Sequence, residues 1–208
     1  MSRSGRADAD DSRLFGALLR AHQGRPLFLG GPSRREILAR ALALRDRLLR
    51  GGGADEPVCL ATDDRETVAL ALLASLAGGP PLVIPHDASR EAVDAARNTV
   101  PFARAVGGSG AVLPSGVRRV RAAAGVASGP FRLGRSLDRT FVHLHTGGST
   151  GRPQAWAKTP RNLLAEAALH AERHGLGPAD RIVATVTPLH IYGLLFSVVV
   201  PLVSGAAV

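Results

Sequence analysis

The sequence is organised around one glycine- and hydroxyl-rich loop, Thr146-Gly147-Gly148-Ser149-Thr150-Gly151-Arg152-Pro153. An apolar run, residues 141–144, precedes this loop, and a short extended segment, residues 155–157, follows it. Glycine allows positive φ and lets a ligand approach the backbone closely, and a concave row of N–H groups suits phosphate. The pattern predicts a phosphate-binding loop between two strands, with an ordinary glycine-rich turn as the alternative.

Two familiar phosphate motifs do not describe this loop. A Walker loop ends in Gly-Lys-Ser/Thr, whereas Gly151 is followed by Arg152 and Pro153. A dinucleotide fingerprint requires Gly-x-Gly-x-x-Gly at the start of a helix, and no such pattern opens a helix here. The loop is therefore neither a Walker loop nor a dinucleotide-binding fingerprint, and the segments around it must indicate its fold.

Short apolar runs alternate with amphipathic helical segments through the first half of the chain. Residues 27–29, 58–61 and 82–84 read as strands, and Ser33, Asp63 and Ser89 are placed to begin helices. This alternation predicts an α/β fold with a parallel sheet flanked by helices. Loops are expected over residues 101–138, with short strands at 103–106 and 111–113 as the alternative. After the glycine-rich loop, helices are expected at 160–174 and 191–203, a strand at 181–186 and a further strand beginning at 206–208.

Composition limits the classes of partner. The 208 residues carry a net charge of +9, but Lys158 is the only lysine, and aromatic residues make up 4%. So few aromatic residues cannot form a base-stacking surface. Nucleic-acid binding through arginine is therefore kept only as an alternative. The basic run Arg118, Arg119 and Arg121 is expected to be a solvated loop. Cys59 stands alone, which fits a reducing, cytoplasmic compartment. Residues 1–13 are expected to form a disordered tail before a domain at 14–208.

Two features of the sequence allow an alternative function, namely an apolar segment long enough for a membrane span and two histidine pairs that could bind a metal. The apolar run at residues 191–208 is about as long as a membrane span, but Pro201, Ser204 and Gly205 interrupt it. We therefore expect a core helix followed by a strand, and not a membrane span. Two histidine pairs have spacings that could hold a metal, but each pair lacks a third and fourth ligand nearby. These pairs are His143 with His145 and His170 with His174.

The loop and the residues after it resemble the phosphate-binding signature of the adenylate-forming superfamily, which includes acyl- and aryl-CoA synthetases and peptide synthetase adenylation domains. That signature reads Thr-Ser-Gly-Ser-Thr-Gly-x-Pro-Lys-Gly-Val, and a helix start Thr-His-Arg-Asn-Leu follows. Here residues 146–156 read T-G-G-S-T-G-R-P-Q-A-W, and residues 159–163 read T-P-R-N-L. Residues 188–193, P-L-H-I-Y-G, resemble the family's second landmark, a Pro followed by His-x-x-Gly.

The resemblance implies ATP-dependent activation of a fatty or aromatic carboxylic acid as an acyl adenylate, followed by thioester formation with CoA or with the phosphopantetheine of an acyl carrier protein. Mg²⁺ would bridge phosphate oxygens. His190 would help to position the carboxylate, and Gly193 would leave room beside it. The residues implied to surround the nucleotide phosphates are Thr146, Gly147, Gly148, Ser149, Thr150, Gly151, Gln154 and Lys158.

Three departures from the family pattern bear on this expectation. Gln154 stands where the family usually has lysine, with Lys158 four residues further on, and Gly147 replaces a hydroxyl residue. The family's later landmarks do not occur before Val208. The chain is therefore expected to be an incomplete N-terminal portion that is inactive alone. The alternatives are a non-catalytic remnant that binds nucleotide or a partner, and one half of a split ligase.

Overall fold

A computed structural model describes residues 3–122, 125–134, 136–147 and 154–208. The helices are α1 (Arg3–Arg20), α2 (Arg34–Arg50), α3 (Arg65–Leu76), α4 (Arg90–Thr99), α5 (Pro160–Arg173), α6 (Ile191–Leu194) and α7 (Val200–Ser204), with a π-helical segment, Leu195–Val199, between the last two. The strands are β1 (Val58–Leu60), β2 (Leu82–Ile84), β3 (Arg104–Val106), β4 (Arg118–Val120), β5 (Val142–Thr146) and β6 (Gln154–Lys158).

One sheet contains these six strands in the order β4-β3-β1-β2-β5-β6. All neighbouring pairs are parallel except β5 and β6, which form an antiparallel hairpin. Alternate side chains of the central strands enter different cores. Leu60 and Ile84 join the larger core with α2 and α3, whereas Cys59 and Val83 pack with Val93 of α4 on the opposite face. The predicted α/β class, a parallel sheet with helices on both faces, is confirmed.

Local capping signals determine where several helices begin. The side chains of Ser33, Ser89 and Thr159 accept hydrogen bonds from backbone N–H groups in the first turns of α2, α4 and α5, as predicted. The third helix differs by one residue, because Asp64 rather than Asp63 accepts from Thr67 N. Thr159 and Asn162 form a reciprocal capping box directly after β6, which fixes the direction in which the chain leaves the hairpin.

Replacing Thr159 by alanine is expected to lower the free energy of unfolding by about 1 kcal/mol, because an N-cap hydroxyl satisfies a backbone donor that otherwise has no partner. Urea denaturation followed by circular dichroism measures this change. Thr185→Ala, at an exposed threonine outside the helices, is the matched control. A loss no greater for Thr159→Ala than for this control would show that the cap contributes nothing.

The structure begins with a helix where a disordered tail was expected. The helix α1 starts at Arg3, and its second half is anchored by the buried side chains of Phe15 and Leu19. Asp11 also forms an ion pair with Arg161 at the start of α5. These contacts are distant in sequence, so the polar composition of the first residues does not reveal them. The division into a tail and a domain over 14–208 stays a prediction.

Strands β3 and β4 lie in residues 101–138, where loops are expected, and the strand expected at 181–186 is reduced to a single bridge. The basic run around Val120 is the strand β4, not a solvated loop, because it pairs in register with β3. Its charged side chains are compatible with an edge position. Residues 111–113 form no strand. In residues 181–186 only Arg181 pairs, through a single parallel bridge to Ala207, and Val183 is exposed.

The apolar segment near the end of the chain is a continuous helical run that changes its winding. The π-helical turn lies between α6 and α7, just before Pro201. Proline cannot donate a backbone hydrogen bond and clashes with the carbonyl four residues earlier in a regular α-helix, which accounts for the wider turn at this place. Among the described residues, none of the helices has the length and apolar character needed to cross a membrane.

Residues close to the two ends of the sequence are joined by backbone and side-chain hydrogen bonds. Val208 donates to Leu27 O and accepts from Leu29 N, both at 2.9 Å. The strand predicted at 27–29 is nevertheless wrong, because these residues form bends and the start of a turn. The buried guanidinium of Arg34 donates to the carbonyl oxygens of Pro201, at 2.9 Å, and Ala206, at 2.5 Å. Burial lowers the pKa of Arg34 to about 10, so this side chain is charged at neutral pH.

Candidate functional site

The β5–β6 hairpin holds the two ends of the glycine-rich loop together. Thr146, the last residue of β5, lies opposite Gln154, the first residue of β6. Both are exposed at the carboxyl end of β5, the edge of a parallel sheet where α/β proteins bind ligands. Gly147 is described and follows directly. The predicted contacts of Gly148, Ser149, Thr150 and Gly151 lie outside the described residues.

The hairpin register separates Gln154, which stands where the family usually has a lysine, from Lys158, the lysine of this chain. Gln154 lies at the mouth of the loop, whereas Lys158 lies opposite Val142 at the other end of the hairpin. Four residues of extended chain span about 13 Å. The carbonyl of Lys158 accepts from Phe141 N at 3.0 Å, which ties that residue to the far end of β5. The structure therefore places Gln154, but not Lys158, beside the predicted phosphate site.

His190 stands at the N-terminus of the helical run that ends in α7. Its backbone is extended, its carbonyl accepts from Leu194 N at 2.7 Å, and its side chain caps no helical N–H group. The side chain is exposed. The loop and the helix thus hold the backbone of His190 while its imidazole faces outward, which suits a residue that contacts a ligand.

Gly193 is required by a close approach of two backbone segments. A Cβ on Gly193 would lie 1.8 Å from the carbonyl oxygen of Thr187, far inside van der Waals contact. Gly193 also lines a cavity of about 190 Å³ with Tyr192 and Phe196. The contact with Thr187 accounts for the glycine, and the role predicted for it, space beside a bound carboxylate, stays a prediction.

A histidine that the sequence analysis did not single out lies against the loop. Ile84 of β2 pairs with Leu144 of β5, so His86 emerges at the same edge as Gly147. A Cβ on Gly147 would lie 3.4 Å from Cδ2 of His86. The Nε2 atom of His86 lies 3.2 Å from an oxygen of Asp87. A lone histidine after a strand carries no sequence pattern, and only the strand register could have indicated this contact.

The carboxylate of Asp87 links this histidine to His190. A hydrogen bond with Ser89 holds the pKa of Asp87 below its usual range, and the charges of His86 and His190 lower it further. The backbone N–H of Ser89 donates to Oδ1 of Asp87 at 2.7 Å. Gly147 thus lies beside His86, and His190 is within electrostatic range of the carboxylate of Asp87.

Of the two histidines of β5, His145 is buried and His143 is half-buried. Burial lowers the pKa values of both His143 and His145, so both imidazoles are neutral at pH 7. Nδ1 of His145 lies 3.3 Å from the carbonyl oxygen of Ile84, and Nε2 has no hydrogen-bond partner within the described residues. Over those same residues no group of three or more side chains is placed to hold a metal ion.

The carboxyl ends of the neighbouring strands also border the largest of the cavities found in the described part of the chain. This cavity has a volume of about 710 Å³ and is lined by residues that follow β1, β2 and β3, including Thr62, Ser89 and Gly108. An open crevice at the carboxyl ends of parallel strands is typical of ligand-binding α/β folds. The loop, the histidines and this crevice share one edge of the sheet.

A family model described as AMP-binding enzyme matches residues 130–208, the segment that contains both the glycine-rich loop and His190. This segment, which is less than half of the chain, matches the AMP-binding enzyme family. Over 71 residues the chain is 43% identical to the sulfoacetate–CoA ligase of Cupriavidus necator, a match that covers 34% of this chain and 14% of that protein. The resemblance to adenylate-forming enzymes inferred from the loop is thereby confirmed.

Solved structures of adenylate-forming enzymes share the fold over nearly the whole chain. ATP-bound MatB from Rhodopseudomonas palustris superposes with a TM-score of 0.76 at 20% identity, over 94% of this chain and 44% of that one. The nonribosomal peptide synthetase FmoA3, bound to AMPPNP, gives a TM-score of 0.77 at 18% identity, over 99% of this chain and 24% of that one. The chain thus spans less than half the length of each of these adenylate-forming relatives.

Proposed function

We propose that residues 14–208 form the N-terminal α/β portion of an AMP-binding domain and bind the phosphates of ATP at the end of β5. The observation that supports this most directly is the convergence of the two family landmarks. A Cβ added to Gly147 would lie 3.4 Å from His86, His86 is paired with Asp87, and the pKa of Asp87 is lowered by the charges of both His86 and His190. The loop ends are fixed by the pairing of Thr146 with Gln154.

The reaction proposed for the complete ligase is activation of a carboxylic acid, fatty or aromatic. A carboxylate oxygen attacks the α-phosphorus of ATP, the bond to the pyrophosphate breaks, and the acyl adenylate forms. A thiol, from CoA or from the phosphopantetheine of a carrier protein, then attacks the acyl carbonyl and AMP leaves. Such chemistry depends on positioning two anions and stabilising charge on phosphate oxygens.

Each part of the proposed site has a distinct task in this scheme. The amides and hydroxyl groups of residues 146–151 would hold the β- and γ-phosphates, and the exposed imidazole of His190 would orient the carboxylate. Mg²⁺ commonly takes most of its ligands from phosphate and water, which fits the lack of a metal-ligating cluster in the described residues. The chain spans only part of its relatives, so we expect nucleotide binding rather than the whole reaction from these residues.

Nucleotide binding by the 208-residue chain tests this proposal directly. The single tryptophan, Trp156, is exposed on β6 two residues from Gln154, so its fluorescence reports on ligands at the loop, and calorimetry provides an independent measurement. We expect saturable binding of MgATP that pyrophosphate competes away. A chain that is folded by circular dichroism but binds neither ligand at millimolar concentration would contradict the proposed function.

Replacing Gln154 by lysine is expected to tighten MgATP binding about five- to tenfold, because a charge-assisted hydrogen bond to phosphate replaces a neutral one. The pairing of Gln154 with Thr146 places the new ammonium group at the mouth of the loop. Gln23→Lys adds the same charge at a half-buried site on a different part of the chain and is the matched control. Equal tightening by both variants would show that net charge alone is responsible.

A further inference from the structure

His86 occupies the position beside the loop where a cation would act on a bound anion. The parallel pairing of Ile84 with Leu144 brings the residues after β2 next to those after β5. The imidazole of His86 lies beside Gly147, since a Cβ added to that glycine would be 3.4 Å from Cδ2 of His86. Its side chain is 31% exposed, so a ligand can reach it while the strand end fixes its backbone.

The imidazole of His86 is paired with a carboxylate. Asp87 places an oxygen 3.2 Å from Nε2 of His86, and hydrogen bonds from Ser89, first from its side chain and then from its backbone N–H, hold the pKa of Asp87 below its usual range. The other titratable groups around the pair are His145 on β5, which is neutral because it is buried, and His190 at the start of α6, whose charge also reaches Asp87. A bound polyphosphate would add negative charge to this side of His86.

We propose that His86 is a phosphate-binding residue of this site and that its imidazolium supplies, at slightly acid pH, part of the positive charge that a lysine at position 154 would provide. This inference rests on the proposed function. The described residues at the loop mouth, Thr146, Gly147 and Gln154, carry no charge, and Lys158 is held at the far end of the hairpin. The binding of polyphosphate is therefore coupled to protonation of one histidine.

Histidine titration near neutral pH makes this proposal measurable. An unperturbed imidazole changes its charge around pH 6.5, so the comparison is made at pH 6.0 and pH 8.5, with MgATP and with magnesium pyrophosphate as probes. At pH 6.0, His86→Ala is expected to weaken binding about five- to tenfold relative to the wild type, the loss of one charge-assisted hydrogen bond. At pH 8.5 the two proteins are expected to bind equally.

Two further variants separate a charge effect from a structural one. His86→Lys keeps a positive charge at both pH values and is expected to bind at pH 8.5 more tightly than the wild type, again about fivefold. His174→Ala removes an exposed histidine that follows the last residue of α5 and is expected to bind as the wild type does at each pH. Protonation of the ligand itself is common to all four proteins, so it cancels in the ratios of their Kd values.

The outcomes distinguish this inference from the function on which it rests. A wild-type chain that binds neither probe at either pH would overturn both. A wild type that binds, with His86→Ala equal to it at pH 6.0, would overturn only the role of His86. A loss for His86→Ala that is the same at both pH values, without gain by His86→Lys, would also overturn it, because packing rather than charge would then explain the effect.

Discussion

Gly193→Ala is expected to lower the free energy of unfolding by about 4 kcal/mol, because an added methyl group would overlap a backbone carbonyl that cannot rotate away. The new Cβ would lie 1.8 Å from Thr187 O and 3.0 Å from Val186 O, so α6 has to move away from the loop that precedes it. For a chain of this size such a loss corresponds to a fall in Tm of roughly 8–16 °C. Urea and thermal denaturation measure both quantities.

The matched control is Gly24→Ala, at an exposed glycine where an added Cβ meets nothing within 4 Å. This variant is expected to unfold within about 0.5 kcal/mol of the wild type, as surface substitutions usually do. Because His190 begins the helix that would move, Gly193→Ala should also weaken any ligand contact made by His190. If Gly193→Ala were as stable as Gly24→Ala, the loop at 186–187 would move to accept the new methyl group without loss of unfolding free energy, and the prediction would be wrong.

Arg34→Ala is expected to cost about 3 kcal/mol of unfolding free energy, because buried carbonyl oxygens lose charged donors and gain no replacement. The guanidinium of Arg34 is 2% exposed and donates to Pro201 O and Ala206 O, so it joins the start of α2 to the end of α7. The desolvation of the arginine itself offsets part of this stabilisation. Urea denaturation monitored by circular dichroism gives the change.

The neighbouring arginine is a matched control for this second prediction. Arg35 is exposed, so Arg35→Ala removes the same side chain from the adjacent helical position without breaking a buried contact. Its effect is expected to stay within about 0.5 kcal/mol. Arg34→Lys should fall between the two, since one ammonium cannot match the fork of a guanidinium. An Arg34→Ala protein as stable as Arg35→Ala would show that the two carbonyls find other partners.

The parts of the fold that were predictable are those with local causes. Ser33, Ser89 and Thr159 mark helix starts because a capping side chain bonds to a backbone group only a few residues away. Buried strands such as β1 and β2 were recognisable because both their faces are apolar. The glycine-rich loop was recognisable because its composition and its flanking segments agree with one known signature.

The parts that were missed depend on contacts between distant segments. Strand β4 looks like a basic loop until β3 is seen beside it, and the segment after Arg181 looks like a strand although it pairs only through that residue. The position of His86 beside Gly147 follows from the pairing of β2 with β5. Sequence patterns record periodicity, whereas these features depend on pairing partners.

The bonds from Arg34 to the end of α7 have a consequence for synthesis on the ribosome. The two acceptor carbonyls lie 167 and 172 residues after Arg34 in the sequence. At translation rates of 5–20 residues per second, roughly 10–30 seconds pass before they can emerge. During that interval the start of α2 exposes a charged group destined for burial, so we expect this corner of the molecule to be the last to close and the part most in need of chaperone protection.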